Sequence, residues 1–451
     1  MFLKKGCLFL FVLIHSITGS AQSNLADSGQ YVTVTAGAEY DRSRLHEWLL
    51  GKNRRDEWST PVQVPVVLLD TLYGGIVPYE TGGGGESKSL RLKSAAGKEY
   101  ALRSINKSRI ATMPLLLKNT FVGTIAQDAV SMSHPYAAFA IPLLLREAGI
   151  HHTQPRLVYL LEERPDGNWS TAPHLGRYKD YLDTEEVKEK LTTSNRFKPN
   201  QKAFIKARLI DLLISDVDRH AGNWKWGVAD TGIVAFHPVP LDRDQAFFTH
   251  NGLLTSIAIA LTRRRLLQTF GHTIKNVKTL TSHDAKLDKF FANEMTKADW
   301  AQAAGLVKES LTDSVITAAV EQMPREIFSL SGDKIIEKLK YRRAKLEEYA
   351  FRYYTTLAKR VAVNGSRQQE HFEVVNLTDK QVAVHVYRID SLKGKEAQPY
   401  YQRTFSAEET KQITLFGFGG NDVFNIDKSI TGIKIKVHKG INKAQYPDRK
   451  E

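Results

Sequence analysis

Cysteine is almost missing from these 451 residues: one stands at Cys7 and none follows. That excludes a disulfide framework, so the chain must be held together by ordinary burial of its apolar residues. Long apolar runs are missing as well. Past the opening stretch, no segment is apolar over the roughly 20 residues a membrane helix needs, and no transmembrane segment is expected in the mature chain. A histidine-rich ligand set is also absent, which argues against a zinc-dependent hydrolase. Acidic residues are outnumbered, with 49 Asp and Glu against 63 Lys and Arg and a net charge of +14. Such a surface selects anionic partners: phosphorylated substrates, lipid or lipopolysaccharide head groups, other polyanions. Nucleic acid is not expected among them, because no recognition motif is present and the N-terminus points to export.

That N-terminus accounts for the one cysteine. Lys4 and Lys5 precede an apolar stretch from Cys7 to Ile17, and Gly19-Ser20-Ala21 supplies the small residues of a cleavage site. This is the order of a secretory signal peptide over 1–21. Cys7 stands at the start of the apolar stretch instead of just after it, which argues against a lipoprotein anchor. Removing Lys4 and Lys5 leaves a net charge of about +12. The expected location is exported, either periplasmic or at the cell surface in association with the outer membrane.

The chain is organised around 211–248. An apolar helical stretch with Phe204, Ala207, Leu209, Leu212, Leu213 and Ile214 runs up to Asp216. Asp218-Arg219-His220-Ala221-Gly222-Asn223 follows, then Trp224 and Trp226, then Leu241-Asp242-Arg243-Asp244. An Asp on a loop, an Asn five residues on and a further Asp after a hairpin have a known use in phosphoryl transfer. The first Asp orients or deprotonates an acceptor hydroxyl, and the Asn and later Asp hold Mg²⁺ on nucleotide phosphates. One carboxylate and one amide oxygen suit Mg²⁺, which prefers hard oxygen ligands and keeps several waters. Taken singly, each motif also reads as a polar turn, since Asp, Asn and Gly favour turns on conformational grounds. Trp224 and Trp226 alternate as on a strand with one covered face and are expected in the core.

Asp218-Arg219-His220-x-x-Asn223 resembles the DRHxxN catalytic loop of phosphatidylinositol kinases, and is similar to loops of HipA-type, CotH-type and secreted Golgi kinases. Asp242 then matches their metal-binding Asp. More broadly the chain resembles a family of secreted Bacteroidetes proteins with a kinase-like region. The shared stretches are GKNRRDEW, GGGGESKSLRL, SHPYAAFAIPLL, LLEERP, DVDRHAGNWKW, PLDRDQAFF and LFGFGGNDVF. In many such proteins an outer-membrane β-barrel follows; none is evident in this sequence.

The resemblance implies an α+β chain with a bilobal protein-kinase-like fold, followed by a small all-β sandwich. The expected units are the signal peptide at 1–21, a β-rich small lobe at 22–160 and a helical large lobe at 161–361. A β-sandwich at 362–441 and a polar tail at 442–451 complete the chain. In the small lobe, Gly82, Gly83, Gly84 and Gly85 lie between strand-like segments, where glycine lets backbone amides approach phosphate oxygens. The inner-strand cation that holds the phosphates falls on Arg103, where the familiar pattern has Lys, and the two are not interchangeable. Lys88 and Lys107 are alternative cations. The usual Glu partner on the next helix is missing, since Pro135 and Tyr136 stand where it is sought, and Asp128 is the nearest substitute.

Further along, Glu162-Glu163-Arg164-Pro165 reads as a link between lobes and 166–200 as a polar, variable insertion. Leu253 to Leu267 reads as a helix carrying Arg263-Arg264-Arg265. Thr296 to Asp299 reads as a capping box, and Asp333 to Arg360 as one long amphipathic helix. Gly417 to Asp422 looks like a single calcium-binding nonapeptide turn. Such turns bind Ca²⁺ only between stacked copies, so a hairpin turn is expected there.

Two functions are compatible with this pattern. The first is a Mg- or Mn-dependent phosphotransferase using ATP on an envelope or extracellular acceptor. Asp218 would be its catalytic base, Asn223, Asp242 and Asp244 its metal ligands, and Gly82 to Gly85 with Arg103 its phosphate cradle. The second is a catalytically inactive kinase-like module that binds or assembles envelope components. Expected partners are an anionic envelope component or a phosphorylated substrate, with an outer-membrane protein as a further candidate.

Overall fold

Short β-branched and aromatic stretches in the first 160 residues build one mixed sheet. The computed structural model describes residues 7–13, 29–70, 72–82, 87, 89–160, 178, 180–230, 234–261, 267–390, 392 and 394–440. Its first seven strands are β1 Cys7–Leu13, β2 Tyr31–Val34, β3 Val62–Val67, β4 Ile76–Gly82, β5 Ser89–Ser94, β6 Glu99–Ser104 and β7 Gln154–Leu160. They lie in the order β2-β3-β7-β1-β6-β5-β4. In β3 alternation decides the buried face: Val62, Val64 and Val66 point into the core and Gln63 is exposed.

Strand β1 coincides with the apolar stretch expected to belong to a signal peptide. In the full chain it pairs antiparallel with β7 from Cys7–Leu160 to Leu13–Gln154, and with β6 from Phe9–Ser104 to Leu13–Tyr100. The two assignments draw on one composition, because a short apolar run serves equally as a leader and as a buried strand.

The remaining chain to Ala358 is mainly helical around one core. The Gln201–Ile214 helix is its axis. Asn200 caps it by accepting the Ala203 N–H at 3.0 Å, and Ser215 ends it in the left-handed region at φ 57°. Phe204, Ile205, Leu209, Ile210, Leu213 and Ile214 are fully buried, as expected of a helix apolar on nearly all sides. Arg342, on the Arg325–Ala344 helix, donates to the Leu213 carbonyl at 3.1 Å and to Ser215 Oγ at 2.6 Å. A buried cation thus satisfies the carbonyl end of the axial helix.

Three expectations are corrected here. The segment read as a polar, variable insertion at 166–200 carries regular structure in its described part: β8 Tyr181–Asp183, the Thr184–Thr193 helix and β9 Phe197–Pro199 are all formed. β8 and β9 flank β10 Trp224–Asp230 and β11 Val234–Pro240 in a four-stranded sheet. Three-residue strands carry no period to read; their partners on distant segments define them. The long helix is two, Arg325–Ala344 and Leu346–Ala358, separated at Lys345. Its apolar spacing continues across the break, and no Gly or Pro marks the spot.

The third correction concerns Gly417 to Asp422. Strands β12 Arg360–Asn364, β13 Glu370–Thr378, β14 Gln381–Asp390, β15 Gly394–Lys395, β16 Tyr401–Ser406, β17 Gln412–Phe416, β18 Val423–Ile426 and β19 Lys434–His438 make the C-terminal unit. One sheet is β12-β17-β19; the other is β15-β14-β13-β18, with β16 on β14. Val363, Phe372, Val384, Phe405, Ile413 and Leu415 fill the space between them, so this is a sandwich. Its first strand begins at Arg360, two residues before the expected boundary. The Gly417 to Asp422 segment carries the chain from one sheet to the other and is not a hairpin, because β17 and β18 do not pair. The expected tail, Glu162 to Pro165 and Arg263 to Arg265 lie outside the described residues.

Candidate functional site

A cleft of about 650 Å³ separates β6 and β7 from the segment that follows β11. Its apolar wall is Ala101 on β6 with Ile141, Pro142 and Leu145 on the Ala137–Glu147 helix. Pro142 lacks the N–H that would bond the Ala138 carbonyl in a continuous helix, and both residues line the cleft. Its polar side is Arg103, Asp242 and Asp244. Ala101 and Arg103 share one face of β6 because strand side chains repeat every second residue.

Arg103 Nη1 donates to Asp242 Oδ2 at 2.5 Å, and Lys107 forms an ion pair with Asp244. One cation on β6 and one just beyond its end therefore meet two carboxylates from the loop after β11. Burial raises the Asp242 pKa, but Arg103, Lys107 and the hydrogen bond from Arg103 outweigh it and hold the carboxyl below its ordinary value. Asp242 sits at φ 46°, a region that non-glycine residues rarely occupy and that recurs at functional sites.

Behind this pair lies the Asp218 loop. Asn223 Nδ2 donates to the Asp218 carbonyl at 2.6 Å, and the Asn223 carbonyl accepts the Leu241 N–H at 2.9 Å. With its NH₂ committed to the loop, the amide oxygen of Asn223 is the atom suited to a cation. Asp218 has a half-exposed side chain, 4.0 Å from His220 Nε2. His220 Nδ1 accepts the Gly222 N–H and so shapes the turn.

Arg219 fastens the two loops together. Fully buried, it donates from Nη1 to the Leu241 and Asp242 carbonyls at 2.6 and 2.9 Å, and from Nη2 to the Asn223 carbonyl at 2.9 Å. Its guanidinium lies 4.7 Å from the centre of the Trp224 ring. Asp211 stands 3.4 Å from its Nε and Asp216 3.7 Å from its Nη1. Arg208 continues this buried charge layer, bonding Asp288 and Asp211 at 2.7 Å each.

Among the expected site residues, the fold brings Arg103, Asp242 and Asp244 together and ties Asn223 to them through Leu241. Gly82 ends β4, paired with Ser89; Gly83, Gly84, Gly85 and Lys88 lie outside the described residues. Asp128 does not serve Arg103. Its carboxylate accepts from Arg55 at 2.6 and 2.9 Å and from the partly exposed His46 at 2.9 Å, and is buried with Arg55. The residues not singled out from sequence were Arg208, Asp211, Asp288 and Asp284, whose carboxylate accepts the Arg219 N–H at 3.1 Å. Arg208 and Asp211 gave one usable signal: opposite charges three apart inside an apolar helical run cannot be buried unless they are paired.

Among the described residues no three His, Cys, Asp or Glu side chains form a metal-binding group. A cation held by Asp242 and Asn223 would therefore draw its other ligands from water and substrate oxygens, which is the habit of Mg²⁺. No family model, curated protein or solved structure matches the chain.

One consequence of the buried layer is pH dependence. Burial, the largest cause, pushes the Asp216 pKa up to about 7 against the pull of Arg219. Between the ordinary carboxylate value and about 7, the folded chain keeps a proton that the unfolded chain has lost. This group therefore favours folding at the acid end, and that contribution is lost as the pH rises through about 7. Asp216→Asn should remove the dependence. The expected result is that the Tm of the wild type falls relative to the variant between pH 5 and pH 8; parallel Tm curves would count against it.

Proposed function

We propose that this chain is an exported, metal- and nucleotide-dependent phosphotransferase of the protein-kinase type. The observation that carries the reading is the joint placement of Arg103, Asp242 and Asn223, with Asn223 fixed to the backbone of Asp218. In this reading β1 to β7 belong to a small lobe, the helical core is the large lobe, and the cleft between them holds the nucleotide. Ala101, Ile141 and Leu145 offer an apolar surface to a base.

Asp242 and the Asn223 amide oxygen are the residues that would hold Mg²⁺ or Mn²⁺, which supplies charge neutralisation on the phosphates when bound. Arg103 and Lys107 exchange their carboxylate partners for phosphate oxygens. Asp218, with its half-exposed carboxylate, accepts the proton of the acceptor hydroxyl. The acceptor oxygen bonds to the terminal phosphorus as the bond to the nucleotide's bridging oxygen breaks. Arg219 holds the two loops in register and touches no substrate. The basic composition favours an anionic or phosphorylated envelope acceptor.

The test is thermal unfolding of the purified chain with ATP and Mg²⁺ or Mn²⁺, beside Asp242→Ala. A ligand specific to the folded state stabilises by about 2.7 kcal/mol at 100 times its Kd. The expected result is a metal-dependent rise in Tm that the variant lacks. A rise retained in Asp242→Ala would remove that residue from the site.

A second reading, a catalytically inactive binding or assembly module, is favoured by one specific observation. Asp128, the substitute for the usual acidic helix partner, is committed to Arg55, and the cleft's own cations and carboxylates neutralise one another. No shift with any nucleotide and metal would select it.

A further inference from the structure

Between β6 and the Ala137–Glu147 helix, the chain makes a closed excursion whose apolar side chains point outward. Its two ends are tied: Gln127 Nε2 donates to the Lys107 carbonyl at 2.7 Å and to Tyr40 Oη at 2.8 Å. Asp128, the next residue, is locked to Arg55. At the tip, the short Leu115–Lys118 helix turns into the Phe121–Asp128 helix.

The turn is built, not loose. Thr120 Oγ1 donates to the Leu117 carbonyl at 2.8 Å and accepts the Gly123 N–H at 3.4 Å. A Cβ at Gly123 would lie 2.4 Å from the Lys118 carbonyl oxygen, so only glycine allows this approach. Yet Leu115, Leu116, Phe121 and Val122 are 82%, 91%, 72% and 52% exposed. Held outward by a braced turn, they form a protrusion that no other described part of this chain covers. Exposed apolar groups of this size mark an interaction surface.

Charge identifies the partner. Over 106–127 the sequence carries Arg109 and Lys118, besides the Lys107 that is paired with Asp244, and no Asp or Glu. The first acid beyond it, Asp128, is buried. A symmetric contact with a second copy would bring these cations against their own counterparts, whereas an anionic bilayer satisfies both features. Leucine and phenylalanine enter the acyl boundary while lysine and arginine stay among the phosphates. We infer that the 107–127 excursion is a docking wedge for an anionic phospholipid surface. This inference does not depend on the phosphotransfer reading.

The test is sedimentation of the full chain with phosphatidylglycerol-containing vesicles and with phosphatidylcholine vesicles, beside a Leu116→Glu/Phe121→Glu variant. Both chains carry the same N-terminus, so any contribution from residues 1–21 cancels. The expected result is binding to anionic vesicles only, weakened at least about tenfold in the variant, with Tm unchanged because both side chains are exposed. Lys118→Glu should weaken binding at least about fivefold, and added salt should do the same. Equal binding by wild type and variant, or no preference for anionic vesicles, would overturn the inference. So would a concentration-dependent dimer that the variant abolishes while vesicle binding persists, since the wedge would then seat a second copy. Should the double variant melt early, Leu115→Ser/Leu116→Ser repeats the comparison without new charge.

Discussion

Arg219→Ala is expected to lose about 3–5 kcal/mol of folding stability, the cost of leaving buried charges without their partner. The loss should be visible as a lower urea midpoint for the tryptophan fluorescence transition. Three contributions add up here. Asp211 and Asp216 keep their carboxylates in the interior with less positive charge beside them. Three backbone carbonyls, those of Leu241, Asp242 and Asn223, lose a charged donor. The Trp224 ring loses the guanidinium stacked against it.

Arg219→Lys separates charge from shape. It keeps a cation but cannot reach several carbonyls from one planar fork, so it should recover only part of the loss. Because Arg219 touches no substrate in the proposed reaction, any change in nucleotide binding should follow the disturbance of Asp242. A loss below about 1 kcal/mol for the alanine variant would mean that water replaces the guanidinium in this layer.

Trp226→Ala is the second large effect, at about 3–5 kcal/mol. The indole is fully buried and stacks on Phe291 with ring centres 4.2 Å apart, and Phe204 lies behind it at 5.9 Å. Its Nε1 donates to Thr184 Oγ1 at 3.1 Å, which in turn donates to the Ala221 carbonyl at 2.7 Å. Truncation would leave a cavity at the centre of the helical core and loosen the segment that leads to Asn223. Trp226→Phe retains most of the ring and should cost about half as much or less. A tryptophan serving as a stacking platform would behave differently: its loss would weaken a ligand and leave the denaturation midpoint in place.

Parts of the fold were legible because they obey local rules. The Gln201–Ile214 helix announces itself by its apolar run. Thr296 and Asp299 form the reciprocal capping box expected of them. The C-terminal strands are bounded by turn residues, and Trp224 and Trp226 are core, as their alternation implied. Local rules also failed in recognisable ways. Helical spacing ran unbroken through Lys345, where the chain stops and restarts its helix. Gly417 to Asp422 has the residues of a turn, yet its strands belong to different sheets. The apolar stretch at Cys7 to Leu13 satisfies two descriptions at once.

The candidate site divides along the same line. Asp218, Asn223, Asp242 and Asp244 could be named from spacing because each sits at the end of an element whose period is readable. Their order along the chain is a property of sequence. Arg103 could be named only by position on a strand, and its partner could not. Asp128 looked available because it lies on the amphipathic stretch before the Ala137–Glu147 helix, but Arg55 and His46, some eighty residues earlier, had claimed it.

By itself the sequence determined where the longer periodic helices and strands lie, which residues are apolar enough to form the core, and which polar residues stand at loop positions where chemistry is possible. It also set the excess of positive charge and the acid-free stretch between Asn106 and Gln127. Only the tertiary structure decided which charges meet: Arg103 with Asp242, Lys107 with Asp244, Arg219 with three carbonyls, Asp128 with Arg55. The reason is physical. Secondary structure follows from backbone sterics and nearest-neighbour periodicity, whereas the pairing of buried charges is a long-range choice. Each must find a partner once water is excluded, and which partner is near depends on how distant segments pack.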